Sequence, residues 1–226
     1  MEQSTRFEHL HMCENFEGST CGFELGKFEK EQMEIITDVE MINEVVDYLE
    51  TIDALNYMEW SKLTISERLA VLNYVESGLA RIEHRPALNV QFKDLDIKCL
   101  GYHCDSERLI VLNSKYVGAN DPLIHREVID TIIHEGRHAY QHYNVDVNCI
   151  HESLSEVKEW ERNFYDPQWR YYSYKGQKIY IPFDDGETID VGYRLYANQP
   201  VEIDARNFAS EVLRKLESKG VIVSII

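Results

Sequence analysis

The chain has 226 residues, of which 44% are hydrophobic and 11% aromatic, so it can bury a sizeable core without relying on disulfide bonds. Its formal net charge of −17 argues against a nucleic-acid binder, because its 23 basic residues are outnumbered by 40 acidic ones. Five cysteines at irregular spacing are more typical of a reduced intracellular protein than of a disulfide scaffold, and no apolar run approaches the roughly 20 residues that a membrane span needs.

The N-terminal stretch, residues 1–34, is polar and contains three glycines without sustained periodicity, so we predict an irregular arm. It lacks the basic segment followed by an apolar core that marks a secretory signal. We therefore expect the protein to be cytoplasmic, or to be delivered to a target cell by a route without a cleavable signal peptide.

Two amphipathic helices are predicted next. Apolar residues recur at helical spacing over residues 33–60, and the stripe that they form could pack on the rest of the fold or bind a partner. A second helix should begin after Thr64, whose hydroxyl precedes Glu67 by three residues, and continue to about Arg81. In residues 88–113 the spacing between apolar residues becomes shorter than in a helix, which predicts strands joined by a bend at residues 105–107.

The next predicted helix starts with Asp121 as N-cap and Pro122 in the first turn, and it should extend to about Tyr143. This helix carries the sequence His-Glu-x-x-His at residues 134–138 within an apolar run. Residues four apart lie one above the other on a helix, so the two imidazoles can bind one metal ion.

Such a pair predicts a catalytic zinc site. Zn²⁺ held by His134, His138 and a third protein ligand would keep a position for a water molecule, which the ion acidifies. Glu135 is adjacent and can accept the proton of that water without being a ligand. The pattern therefore indicates metal-assisted hydrolysis.

Three residues are candidates for the third ligand. His142 lies on the same helix face, but two turns separate it from His134 by about 12 Å, which is too far for one ion. Glu152 lies on a later segment, as the third ligand does in several zinc hydrolases. We favour Glu202, because Asn198 and Pro200 predict a helix that starts just before it, and the dipole of that helix would keep the carboxylate charged. The alternative is an ordinary acidic residue in a first helical turn.

The His-Glu-x-x-His element, followed about sixty residues later by Asn198-Gln-Pro-Val-Glu-Ile-Asp-Ala205, resembles the gluzincin type of zinc metallopeptidase. More closely, it is similar to the metallopeptidase toxin and effector domains at the ends of bacterial polymorphic toxins. The likeness covers roughly residues 60–217. It implies that Zn²⁺ is bound by His134, His138 and Glu202, with Glu135 as general base and acid, and that an immunity or inhibitor protein accompanies the toxin.

The chain departs from the gluzincin pattern at one position. Thermolysin-like members have an aspartate four residues after the ligand glutamate, where it orients a zinc-binding histidine, whereas Arg206 occupies that position here. Asp130, one turn before His134, and Asp204 are the candidates to replace it. For stabilising the oxyanion, Tyr193, Tyr196 and Arg137 are available, and we favour Tyr196 because it directly precedes the ligand helix.

In metallopeptidases with this motif, a sheet edge beside the metal helix aligns an extended substrate by main-chain hydrogen bonds. Residues 108–113 are our candidate for that edge, and a plain structural hairpin is the alternative.

We thus predict an α+β, zincin-like fold with an active-site helix, a small antiparallel sheet and additional helices. Residues 1–59 would form the arm and first helix, and residues 60–226 the metallopeptidase domain. The predicted activity is zinc-dependent hydrolysis of a peptide bond in a protein or peptide substrate, with no nucleic-acid or membrane partner. The alternatives are a non-catalytic, metal-stabilised interaction or regulatory protein and a zinc amidohydrolase that acts on a non-protein substrate.

Overall fold

The computed structural model describes residues 35–165, 180–182, 188–190 and 197–224, and over these ranges the fold is α+β. The helices are α1 (Asp38–Glu50), α2 (Tyr57–Trp60), α3 (Ile65–Ile82), α4 (Ser114–Val117), α5 (Pro122–Asp146), α6 (Leu154–Tyr165) and α7 (Pro200–Ser218). The strands are β1 (Asn89–Lys93), β2 (Gly101–Cys104), β3 (Leu109–Asn113), β4 (Tyr180–Pro182) and β5 (Thr188–Asp190). Within these ranges no helix is both long and apolar enough to cross a bilayer. The predicted arm, residues 1–34, lies outside the described residues.

The main sheet has the order β1-β3-β2, with β2 antiparallel and β1 parallel to β3. The hairpin predicted around residues 105–107 is confirmed, since β2 and β3 pair on either side of that bend. The prediction of a purely antiparallel sheet is wrong. The connection from β1 to β3 contains β2 and reverses the chain twice, so β1 and β3 run in the same direction. β4 and β5 form a separate antiparallel pair.

The prediction that residues 108–113 form the free sheet edge is also wrong. β3 occupies the middle of the sheet and pairs with a strand on each side, so its main-chain groups are already used. Among the described strands, β2 lies at the edge on the side of α5. A side chain at Gly101 of β2 would approach Thr131 Cγ2 of α5 to 2.9 Å, which shows how closely the strand passes the helix.

The helix predicted over residues 33–60 is interrupted. α1 starts after the N-cap Thr37, whose hydroxyl accepts from the backbone N–H of Glu40, and it ends at Glu50. The Thr51 hydroxyl donates to the carbonyl of Tyr48, and Ile52 then adopts an extended backbone. The chain turns at this break, and Ile52 lies buried in the core beyond the end of α1.

The apolar stripe of α1 is used for core packing rather than for docking a partner. Met41, Val45 and Leu49 are fully buried, and α1 packs against α3 and α7. The predicted start of α3 is confirmed, because Thr64 and Glu67 form the expected reciprocal cap. Helix α1 therefore shares one hydrophobic core with the helices that follow it.

Helix α5 lies at the centre of the fold and contacts α3, α6, α7, β2 and β3. Its predicted start is confirmed, since the Asp121 carboxylate accepts from the backbone N–H groups of Leu123 and Ile124 at 2.8 and 3.0 Å. The helix continues to Asp146, three residues beyond the predicted end. Its buried middle section runs through residues 131–141, which include the His-Glu-x-x-His sequence.

We expect His125, near the start of α5, to make the protein acid-sensitive. Its imidazole is buried, with its ring centre 5.0 Å from that of Trp60, and the Arg68 guanidinium lies 5.2 Å from the ring centre of Trp60. Burial, and then the charge of Arg68, lower the pKa of His125 from 6.5 to about 4. The unfolded chain therefore binds a proton at higher pH than the folded chain, and stability falls as the pH drops from 6.5 towards 4.

From these pKa values, the loss attributable to His125 between pH 7.5 and pH 5 is about 2 kcal/mol. Urea denaturation at the two pH values measures it, with His125→Leu as the comparison. Between pH 7.5 and pH 5, the free energy of unfolding of His125→Leu should fall by about 2 kcal/mol less than that of the parent chain. Equal losses in both proteins would contradict the assignment.

Candidate metal centre

Two histidines of α5 and a glutamate of α7 meet in the interior of the fold. His134 and His138 lie one turn apart near the middle of α5, and Glu202 lies in the first turn of α7 behind Pro200. All three side chains are buried. In the part of the chain that the structure describes, they form one of two groups with the ligand types and spacing that suit a metal ion, and this is the buried group.

The distances between the ligand atoms suit a tetrahedral zinc ion. Nε2 of His134 lies 3.0 Å from Nε2 of His138, and each nitrogen lies 3.4 Å from one carboxylate oxygen of Glu202. Ligands placed tetrahedrally at 2.0–2.1 Å from zinc are about 3.3 Å from one another. Three protein ligands of this kind would leave one position of the tetrahedron for a further ligand.

Gln141 forms a hydrogen bond with Nδ1 of His138, the ring nitrogen that does not face Glu202. Its amide nitrogen donates to the carbonyl oxygen of Val201 at 2.9 Å and to Asp204 Oδ2 at 2.6 Å. The amide oxygen therefore faces His138, 2.8 Å from Nδ1, and accepts the proton carried there. This places the lone pair of His138 on Nε2, towards Glu202, which is the form of the imidazole that binds a metal ion.

Sequence reasoning missed Gln141. The signal that could have found it is its position three residues after His138, which puts the two side chains on one helix face. The predicted residue Asp204 does lie next to this group, but it contacts Gln141 and Arg137, so its influence on His138 passes through the amide. Asp130 is half-buried one turn before His134.

Arg137 is fully buried and holds three elements together. Its Nε donates to Asp204 of α7 at 2.8 Å, and its Nη2 donates to both carboxylate oxygens of Asp38 in α1, at 2.9 and 2.8 Å. Its guanidinium carbon lies 4.5 Å from the ring centre of Tyr140 and 4.6 Å from that of Phe208. Arg137 thus pairs with carboxylates of two other helices, and the oxyanion role considered for it stays a prediction.

The charges around the two imidazoles favour a cation between them. Burial disfavours a charged imidazole at His138, but the carboxylates of Glu202 and Glu135 outweigh burial and raise its pKa to about 9. Burial likewise opposes the charge of Glu202, yet the two histidines hold the pKa of that carboxyl well below its ordinary value. A divalent cation can replace the proton that this arrangement attracts.

Glu135 is fully buried on the side of α5 that faces β2. Its charge contributes to the raised pKa of His138. It also partly opposes the burial that lowers the pKa of His134 and that holds the pKa of His103 in β2 well below its ordinary value. A carboxylate between the ligand histidines and the edge strand is placed to exchange protons with groups bound there.

The remaining predicted residues do not join the triad in the described part of the chain. Glu152 accepts from the backbone N–H of Asp38 at 2.9 Å, so it caps α1. His142 lies 3.4 Å from Asp146 and stacks on Phe164. Tyr193 and Tyr196, the tyrosines considered for the oxyanion, lie outside the described residues.

We expect Gln141→Leu to weaken zinc binding by about 10- to 100-fold, the usual effect of losing a group that orients a ligand histidine. Without the amide oxygen, nothing at this position fixes the proton of His138 on Nδ1. Competition titration with a chromogenic chelator measures the affinity, and Gln91→Leu on β1 is the matched control. Unchanged affinity in Gln141→Leu would contradict the proposed role.

Comparison of the chain with protein-family models, with curated proteins and with solved structures found no match.

Proposed function

We propose that this protein is a zinc-dependent peptidase of the gluzincin type, which hydrolyses a peptide bond in a protein or peptide substrate. The observation that carries the proposal is the convergence of His134, His138 and Glu202, with Glu135 buried beside them. Two imidazoles and one carboxylate form the protein ligand set of a catalytic zinc site, whereas structural zinc sites usually have four protein ligands, mostly cysteines.

Each residue of the centre has a part in the proposed reaction. His134, His138 and Glu202 would hold the ion, and Gln141 would keep His138 in its binding form. Bound Zn²⁺ would supply acidification of a water molecule and polarisation of the scissile carbonyl. Glu135 would accept the proton of the attacking water and deliver it to the leaving amine, so that the carboxylate is regenerated after each cycle.

The surroundings of the centre support a peptide substrate. β2 pairs with β3 on one side only among the described strands, and its other edge can bind an extended main chain by β-augmentation. A cavity of about 500 Å³ lies along α5, where His103 of β2 and Ala139 of α5 are among the residues that line it. Ala139 directly follows His138, so the cavity lies next to the metal centre, between β2 and α5.

The proposed role as a bacterial toxin or effector, with a separate immunity or inhibitor protein, is supported by the resemblance of the two sequence motifs. Such a protein would act in the cytoplasm of the cell that makes it or of a cell to which it is delivered. Expression of the active chain would then slow the growth of a susceptible host.

The test is to incubate the zinc-loaded protein with a peptide mixture from a whole proteome and to identify new termini by mass spectrometry. We expect cleavage that disappears on treatment with a strong chelator and returns with one equivalent of Zn²⁺. Tight zinc binding without any cleavage would favour a metal-stabilised interaction protein. Hydrolysis of small amides alone would favour an amidohydrolase with a non-protein substrate.

A further inference from the structure

A second group of potential metal ligands lies at the C-terminal end of α5. It consists of Asp105, in the turn between β2 and β3, and His142 and Asp146, one turn apart on the helix. One ligand atom from each residue lies within 4.8 Å of those of the other two. The group lines the same cavity of about 500 Å³ that borders the edge strand.

Two neighbours of α6 hold the helix ligands in place. The ring of Phe164 stacks on that of His142 at 3.8 Å and 18°, which fixes the plane of the imidazole. The hydroxyl of Tyr165 donates to Asp146 Oδ1 at 2.6 Å, so the other oxygen, Oδ2, faces His142 Nδ1 at 3.4 Å. This N–O separation is close to the roughly 3.3 Å between two ligands of one tetrahedral ion.

In the described part of the chain, no lysine or arginine pairs with the carboxylates of this group. Within the ranges that the structure describes, neither Asp105 nor Asp146 forms an ion pair with a lysine or arginine. Of the two arginines that line the cavity, Arg85 is engaged with Glu76 and Glu83, and Arg108 is exposed. Two carboxylates and one imidazole therefore face a common space with a formal charge of −2 when the histidine is neutral.

We propose that Asp105, His142 and Asp146 form a second divalent-cation site, distinct from the one at His134, His138 and Glu202. One nitrogen and two carboxylate ligands suit Zn²⁺ or Mn²⁺, with water completing the coordination. His142 follows His138 by one helical turn, about 6 Å along the axis, so the second ion has its own ligands and is not held by the first set.

Such an ion would connect the β2–β3 turn to α5. Asp105 directly follows β2, and His142 and Asp146 of α5 lie beside that same end of the strand. Cation binding would therefore fix the edge strand against the metal helix at its exposed end. Cation binding here does not depend on whether the chain is a peptidase, because it uses a different set of side chains.

The test uses the full chain after removal of metal, titrated with Zn²⁺ by calorimetry and examined by native mass spectrometry. We expect about two equivalents of Zn²⁺ to bind. The site formed by Asp105, His142 and Asp146 should bind its ion more weakly, because its ligands are more exposed than those of the other site. His142→Ala and Asp146→Asn should each lose the weaker equivalent and keep the tight one, whereas His138→Ala should lose the tight one and keep the weaker. Asp53→Asn, a matched change of an exposed aspartate, should bind both.

A single equivalent in the parent chain, or a second equivalent that persists in both Asp146→Asn and His142→Ala, would overturn the proposal. Zinc bound elsewhere in the chain would persist in these variants and so cannot imitate the expected loss. If the parent chain binds both ions but cleaves no peptide, the proposed peptidase activity fails while the second site stands.

Discussion

In the variant Glu135→Gln, we expect peptide hydrolysis to fall by about 10³-fold or more while zinc stays bound at His134, His138 and Glu202. Glutamine has nearly the shape of glutamate, so the buried space that Glu135 occupies is still filled. It cannot accept a proton, however, and so cannot activate the water or protonate the leaving amine. The zinc ligands are unchanged, which separates loss of the proton carrier from loss of the ion.

The measurement pairs the initial rate on a cleaved peptide with the zinc content of the same sample. Glu161→Gln, an identical change at an exposed position of α6, is the matched control and should keep the parent rate. Full activity of Glu135→Gln would refute the role of this carboxylate. Loss of zinc from Glu135→Gln would show instead that Glu135 supports the ion itself.

In the variant Arg137→Met, we expect the free energy of unfolding to fall by about 3 kcal/mol or more. Two carboxylates then face each other without the cation between them. Asp38 and Asp204 belong to different helices, and the Arg137 guanidinium contacts both. For a chain of this size, the loss corresponds to a decrease in Tm of roughly 6–12 °C. Thermal unfolding followed by circular dichroism measures it.

Arg214→Met provides the control, since Arg214 pairs with Glu211 on the surface of α7, where both side chains are exposed. Such a pair contributes less than about 1 kcal/mol, so this variant should melt close to the parent temperature. The triple variant Asp38→Asn, Arg137→Met, Asp204→Asn removes all three charges of this cluster and should recover part of the stability. An Arg137→Met protein as stable as the parent would contradict this account.

Local sequence signals predicted the elements that carry the site. The start of α5 follows from Asp121 and Pro122, and the pairing of His134 with His138 follows from helical periodicity alone. Glu202 could be singled out because Pro200 marks the first turn of a helix. Helix caps and hydrophobic periodicity depend on residues within a few positions of one another, so they can be identified from the sequence without knowing the tertiary structure.

The features that sequence reasoning missed depend on distant contacts. The parallel pairing of β1 with β3, which places β3 in the middle of the sheet, arises from how the whole connection folds back. Gln141 replaces the expected aspartate behind His138 because α7 brings the Val201 carbonyl and Asp204 within reach of its amide. No pattern within either segment alone reveals these partners.

The buried guanidinium of Arg137 joins residues that are synthesised at very different times. Its partners Asp38 and Asp204 lie 99 and 67 positions away along the chain. While the polypeptide is still emerging from the ribosome, both imidazoles of α5 exist before the segment that holds Glu202 has been made. A chain with the proposed activity would therefore stay inert until α7 has been made and has docked on α5.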